Sequence, residues 1–321
     1  MEKEVDIVAL GELLIDFTEA GYGASGMKLF EQNPGGAPAN LLTVASHMGL
    51  KTSFIGKVGN DMHGMFLKRT LDKEGIGTDS LIVDDDVFTT LAFVEIDASG
   101  ERNFSFARKP GADTQLKAEE LNQELLKDCK IFHFGSLSLT DDPAKKATQE
   151  AVRIAKEAGA FISYDPNYRA SLWTDQAAAV AAMKSMIPMV DMMKVSDEES
   201  LLLTGESDYE SAADTLLSMG TSIVAITLGA DGVLVATQDR KEVISGYKVD
   251  AVDTTGAGDS FWGGFLSRFL TLNKNLNELS WNETCVCAQQ GNAVAALCVQ
   301  KRGGIPAIPA KEEVEKLLKS N

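Results

Sequence analysis

In the stretch DTTGAGDSFWGGF, residues 253–265, a glycine-rich turn runs straight into an apolar, helix-like segment, with Asp259 at the junction. Gly256, Ala257 and Gly258 are small enough for backbone N–H groups to converge on one point. The helix that follows turns its positive end toward that point, so an anion can be held there without a lysine. A carboxylate beside a bound phosphate is repelled unless it has a task. The task that suits Asp259 is to take the proton of a hydroxyl that attacks phosphorus. Phosphoryl transfer needs little beyond a positioned base and an electrostatic cradle, and a general base contributes typically ~10²–10⁴-fold. The alternative is that Asp259 only caps the helix, a duty that Thr254 and Thr255 could share.

A second stretch, NPGGAPAN at residues 33–40, suits a sugar. Gly35 and Gly36 permit close backbone approach, and Pro38 fits the first turn of a helix. Asn40 both donates and accepts hydrogen bonds, as sugar hydroxyls require. Asp16, in LIDF, is an acid that can accept from two neighbouring hydroxyls. Taken singly, each of these residues also fits a purely structural role. GYGASG at residues 21–26 matches a dinucleotide fingerprint in letters only, because MKLFEQNPGG follows it where a helix should open. It is expected to be a loop, which leaves a nicotinamide-dependent oxidoreductase as a distant rival. No lysine–serine or lysine–threonine pair follows a glycine-rich turn, so a Walker A loop is absent.

These residues need a scaffold, and strand and helix patterns alternate along most of the chain. VDIVAL, TSFIGKVG, KIFHFG, AFISYD, VDMMKVS, TSIVAITLG and GVLVAT read as strands. PANLLTVASHMGL, DMHGMFLKRTLDKEG, PAKKATQEAVRIAKEAG, DQAAAVAAMKSMI, DEESLLLTG and two long C-terminal segments read as helices. Asp61 is the expected N-cap of the second helix, and Gly49 and Gly75 are expected stops. Repeated βα units argue for a largely parallel sheet covered on both faces, with ligands at the carboxyl ends of its strands. Two stretches break the alternation: LIDFTEAG, and FTTLAFVEIDASGERNFSFARKPGAD, a hairpin turning at DASGE. A small sheet projecting as a lid accounts for both, as would an ordinary edge hairpin.

The bulk composition fits a globular α/β protein, with 44% apolar and 24% charged residues in 321. A net charge of −17 disfavours nucleic acid and anionic membranes as partners. No apolar run reaches the roughly 18 residues of a membrane span. The N-terminus lacks a signal peptide, so a cytoplasmic location is expected. The four cysteines, Cys129, Cys285, Cys287 and Cys298, have no zinc-like spacing and read as buried thiols.

PGGAPANLLTVASHMGLKTSFIGKVGNDMHG and VDTTGAGDSFWGGF together resemble the two signature regions of the ribokinase-like (PfkB) carbohydrate kinase family. The likeness runs on to GIPAIP near the C-terminus. Within the family GELLIDF, FHFGSLSL, SYDPNYRASLW and KVSDEE look most like fructokinases. The resemblance implies a ribokinase-like three-layer α/β sandwich, a mostly parallel central sheet flanked by helices, with a small β-sheet lid. It implies one kinase domain over residues 1–321, with lid segments near 12–32 and 87–113. The implied activity is ATP-dependent phosphorylation of a sugar primary hydroxyl, fructose to fructose 6-phosphate. 2-Keto-3-deoxygluconate kinase and a non-catalytic sugar-binding regulator are the alternatives.

Residue by residue, the resemblance makes Asp259 the base and Gly256, Ala257 and Gly258 the anion hole. It gives the sugar to Asp16, Gly35, Gly36 and Asn40. It turns Arg108 and Arg169 toward substrate or phosphates, where surface salt bridges are the plain alternative. Ser196, Thr227, Gly229, Gly232 and Asn292 would contact ATP, and Glu199 would order magnesium through water. Relatives carry Asn-x-x-Glu where this chain has Ser196 in SDEE, which weakens that one side chain's assignment. Asp253, Thr255, Cys298, Lys301, Gly303 and Ala307 match a loop that binds a monovalent cation such as potassium. Pairing of lid sheets in relatives implies a homodimer.

Overall fold

The computed structural model describes residues 3–96 and 102–320. The turn expected at DASGE lies outside the described residues. The strands in chain order are β1 (Val5–Leu10), β2 (Leu14–Tyr22), β3 (Lys28–Gly35), β4 (Thr52–Gly59), β5 (Leu81–Asp84), β6 (Leu91–Ile96) and β7 (Arg102–Ala107). They continue with β8 (Cys129–Gly135), β9 (Phe161–Asp165), β10 (Met192–Ser196), β11 (Ile223–Thr227), β12 (Gly232–Ala236) and β13 (Lys241–Ser245). The helices begin with α1 (Ala37–His47), α2 (Met62–Lys73), α3 (Gln123–Lys127), α4 (Ala144–Glu157) and α5 (Gln176–Met186). They end with α6 (Asp197–Thr204), α7 (Tyr209–Ser218), α8 (Ala257–Thr271), α9 (Trp281–Cys298) and α10 (Lys311–Lys319).

Nine strands form one sheet in the order β13-β12-β11-β10-β9-β8-β1-β4-β5. From β11 to β5 every pairing is parallel, and β12 alone runs against its neighbours. The period of two along a strand decides which helices cover which face. In β1, Val8 and Leu10 join a core cluster with Ala147, Met183, Leu203 and Leu216, from α4 to α7. Ile7 and Ala9 point the other way, into a cluster with Leu41, Leu67, Phe265 and Cys287 of α1, α2, α8 and α9. The fold is therefore helix–sheet–helix, as expected for strands buried on both faces.

Local chemistry sets the boundaries. Asp61 caps α2 by accepting from the backbone N–H of His63 and Gly64, each at 2.9 Å, and Gly49 and Gly75 stand at positive φ just past α1 and α2. Segments without strong periodicity were harder to foresee. Edge strand β13 is mostly exposed and owes its conformation to pairing with β12.

A separate four-stranded sheet, in the order β3-β2-β6-β7, uses the two stretches that break the βα alternation. GYGASG is the turn of its β2–β3 hairpin, with Gly21 and Gly26 at positive φ. MKLFEQNPGG, which does not read as a helix, supplies β3. The three thiols of Cys129, Cys287 and Cys298 are buried, as expected, and Cys285 is half-buried. No helix among the described residues is long and apolar enough to cross a membrane.

Candidate active site

The parallel strands β1, β8, β9, β10 and β11 end at one edge of the large sheet, and the chemistry gathers there. Two cavities open at this edge. One, of about 290 Å³, is walled by Glu12, Leu14, Asp16, Gly36, Ala37, Asn40, Phe106, Leu137, Arg169 and Asp259, among others. The other, of about 500 Å³, is walled by Lys194, Ser196, Glu198, Glu199, Thr227 and the run Gly256–Asp259. Asn167, Arg169, Thr254, Gly256 and Asp259 belong to both walls, so the cavities meet at Asp259.

Asp259 lies in the first turn of α8, whose N-cap, Gly256, is held at φ 73°. That left-handed conformation favours glycine, and it places the Gly256–Gly258 amides at the positive end of a 15-residue helix. Asn40 Nδ2 donates to Asp259 Oδ2 at 2.8 Å. Burial pushes the Asp259 carboxyl up to about 6, helped by the charge of Asp165, while Lys194, Asn40 and Arg169 act in the opposite direction. Such a group is ionised near neutral pH and still basic enough to accept a proton.

Beside it, Lys194 Nζ pairs with Asp165 Oδ2 at 2.8 Å, both side chains buried. Burial alone lowers the lysine, but the charges of Asp165, Glu199 and Asp259 outweigh it and hold Lys194 above its ordinary value. A Cβ on Gly258 would stand 2.7 Å from that Nζ, so the glycine lets the ammonium approach the anion cradle. Beneath the site, Trp262 Nε1 donates to Ser163 Oγ at 2.8 Å, and Ser163 meets His133 Nδ1 at 3.0 Å. Burial, with the Lys194 charge, pushes His133 down to about 3 and keeps it neutral.

On the smaller cavity, Gly36 is the N-cap of α1 at φ 125°, where a Cβ would strike the Glu12 carbonyl. Asp16 lies in β2, opposite Asn33 of β3, and Gly35 packs against its carboxylate. Asn40 is buried, and its Oδ1 is left without a hydrogen-bond partner beside the cavity.

The expected sugar and base residues Asp16, Gly36, Asn40, Arg169 and Asp259 thus share one wall. Arg108 is placed elsewhere. Its Nη2 lies 2.7 Å from Asp113 Oδ2 and donates to the Leu137 carbonyl, and its Nη1 donates to Thr140 Oγ1. It lines a third cavity of about 600 Å³, which shares Phe106 with the smaller one, and neither wall of the cleft includes it. The guanidinium is committed because Asp113, buried five residues away, needs a counter-charge.

On the larger cavity, Ser196 caps α6 by accepting from Glu199 N. The Glu199 carboxylate accepts from Tyr168 N at 2.6 Å and Ser196 N at 2.9 Å. Thr227 also lines this wall. Gly229, Gly232 and Asn292 do not, and Asn292 Nδ2 instead holds the carbonyls of Ile244 and Ser245 at 3.0 Å each. Asp253 accepts from Thr255 N and Oγ1 and from Gly303 N, tying two loops together. The Thr255 carbonyl meets the Cys298 thiol at 3.9 Å, and Lys301 N bonds the Cys298 carbonyl. Ala307 closes the same segment by bonding Gly304 O. Among the described residues no group of three or more His, Cys, Asp or Glu could hold a metal.

Sequence reasoning missed Glu12, Asn167 and the Lys194–Asp165 pair. Asn167 stands at φ 45° within SYDPNYR, a backbone conformation that asparagine tolerates better than most residues.

The profile described as pfkB family carbohydrate kinase matches residues 5–311. Fructokinase-1 of Oryza sativa subsp. japonica is 39% identical over 317 residues, covering 98% of each chain. The structure of a fructokinase with bound ATP from Xylella fastidiosa superposes with a TM-score of 0.91 at 30% identity, covering 99% of both chains. A double mutant of the Vibrio cholerae O395 fructokinase, in its fructose-, ADP- and potassium-bound form, gives 0.88 at 29% identity, covering 99% of each.

Proposed function

The chain belongs to the pfkB family of carbohydrate kinases, and from that premise we propose that it transfers the γ-phosphoryl group of ATP to a primary hydroxyl of fructose. The observation that carries this is the place of Asp259 on the wall common to both cavities. Fructose in the smaller cavity meets Asp16, Asn40 and Gly36. The triphosphate enters the larger one and sets its terminal phosphate against the amides of Gly256, Ala257 and Gly258. Asp259 takes the proton of the attacking hydroxyl. The cradle and Lys194 face the charge that develops on the phosphoryl oxygens, and preorganised donors of this kind supply much of such a rate enhancement.

Magnesium neutralises charge on the nucleotide phosphates when bound. Glu199 fits a water-mediated role, because two backbone N–H bonds leave part of its acceptor capacity free at the cavity wall. Ser196 and Thr227 line the nucleotide side, with Gly229, Gly232 and Asn292 shaping the strands behind it. The loops of Asp253, Thr255, Cys298, Lys301, Gly303 and Ala307 offer backbone carbonyls, the donor chemistry that suits potassium. Bound there, potassium would steady the turn that carries the cradle. The four-stranded sheet acts as a lid that excludes water from the sugar. We assign the chain to a single kinase domain, acting as a cytoplasmic homodimer paired through that sheet.

A panel of fructose, glucose, ribose and 2-keto-3-deoxygluconate with ATP tests the substrate. The highest kcat/KM is expected on fructose. A clear preference for the keto acid would transfer the assignment to that sugar, with Arg169 meeting its carboxylate. Sugar binding without turnover on any of the four would mark a non-catalytic regulator, and NAD binding would revive the oxidoreductase.

A further inference from the structure

The geometry points to Glu12 as a second acidic ligand of the sugar, accepting a hydroxyl of the substrate beside Asp16. Glu12 follows β1, at the same sheet edge as the rest of the site, and forms part of the smaller cavity's wall while only 2% exposed. Its Oε1 accepts from Ala37 N at 2.9 Å, in the first turn of α1. That bond ties it to the Gly36 turn and to the helix that carries Asn40.

A buried carboxylate needs hydrogen bonds or a counter-ion. Among the described residues Glu12 forms no salt bridge, and the nearby guanidinium of Arg108 is spent on Asp113, Leu137 and Thr140. A sugar hydroxyl entering the cavity supplies a further donor beside the backbone N–H of Ala37. Burial pushes Glu12 up to about 7 against the backbone N–H groups of Glu12 itself and Ala37, which favour the carboxylate, and Asp113 adds to the rise while Arg108 opposes it. The other ionisable groups that face or border the cavity are Asp16 of β2, Arg169 after β9 and Asp259 of α8.

The inference rests on fructose occupying the cavity of Asp16 and Asn40. Its test compares Glu12→Gln with Asp16→Asn and the wild type, measuring KM for fructose and for ATP between pH 5.5 and 8.5. The glutamine keeps an oxygen for Ala37 N–H, so a residue that only caps α1 would leave both constants and their pH dependence unchanged. As a sugar ligand, Glu12→Gln raises the fructose KM at least ~10-fold at pH 8, the scale of a hydrogen bond to a charged group. The ATP KM stays near its wild-type value. The wild-type fructose KM also rises as pH falls through about 7, where Glu12 protonates, and the variant loses that inflection.

A fructose KM unchanged in Glu12→Gln, with Asp16→Asn impaired, overturns the role of Glu12 and leaves the cavity assignment standing. Unchanged values in both variants overturn the cavity assignment and this inference with it. Should the glutamine variant fail to fold, Glu12→Asp keeps the acid but shortens its reach. It is expected to raise the fructose KM selectively, and a wild-type value there overturns the inference.

Discussion

The side-chain amide of Asn40 donates to Oδ2 of Asp259 across 2.8 Å, joining positions 219 residues apart in the chain. One end of the bond belongs to the first turns of α1 and the other to the first turn of α8. The residue suited to sugar hydroxyls therefore orients the residue suited to proton abstraction. Sugar binding and base positioning share one contact.

The pH profile should follow from that carboxyl. Asp259 must be ionised to accept a proton, and it titrates near 6. kcat at saturating fructose is expected to fall about tenfold per pH unit below that value. Stability runs the other way. A carboxyl held above its ordinary value favours the folded state at low pH, and that contribution is lost as pH rises through about 6. Asn40→Ala removes a bond that lowers the carboxyl, so its acid limb should move to higher pH. A limb unmoved in Asn40→Ala would show that the bond does not govern the base.

Lys194 is held between Asp165 and the cradle. Lys194→Met removes a cation that opposes the rise of Asp259, and it leaves Asp165 buried without its partner. Breaking such a pair typically costs about 3–5 kcal/mol. Denaturant melts should show a loss on that scale, and any residual activity should have its acid limb at higher pH than wild type. An unchanged melt would contradict the role of Lys194 as the counter-charge that Asp165 needs.

Arg108→Met separates two roles. As the buried partner of Asp113, with a second tie to Thr140, the arginine should contribute chiefly to stability, again on the order of 3–5 kcal/mol. The fructose KM of the folded fraction should change by less than about tenfold, short of the loss expected when a hydrogen bond from a charged group to substrate is removed. A stable variant with a much higher fructose KM would instead place the guanidinium in contact with substrate, as the family resemblance implies.

The architecture was legible because strands buried on both faces and helices with one apolar face leave strong periods. The glycine-rich turns and Asp259 were legible because their residue types are costly without a purpose. Contacts made by the fold were not. Nothing in the spacing of Asn40 and Asp259 says that they meet. Glu12, between β1 and β2, has no partner that its spacing in the sequence announces, and its burial at 2% exposure comes only with the fold. Arg108 looked available because its partner, Asp113, lies beyond cis-Pro110 and Gly111, past the end of β7. Strand β13 was missed because an exposed edge has no face to pattern.

Steady-state kinetics of Asp259→Asn with fructose and ATP test the proposed base most directly. The asparagine keeps the shape at the cavity wall and removes the basic site. KM values within a few-fold of wild type and a kcat lower by at least ~10²-fold, the scale of a lost general base, are expected. Near-normal turnover in that variant would contradict the assignment of Asp259 as the group that takes the proton.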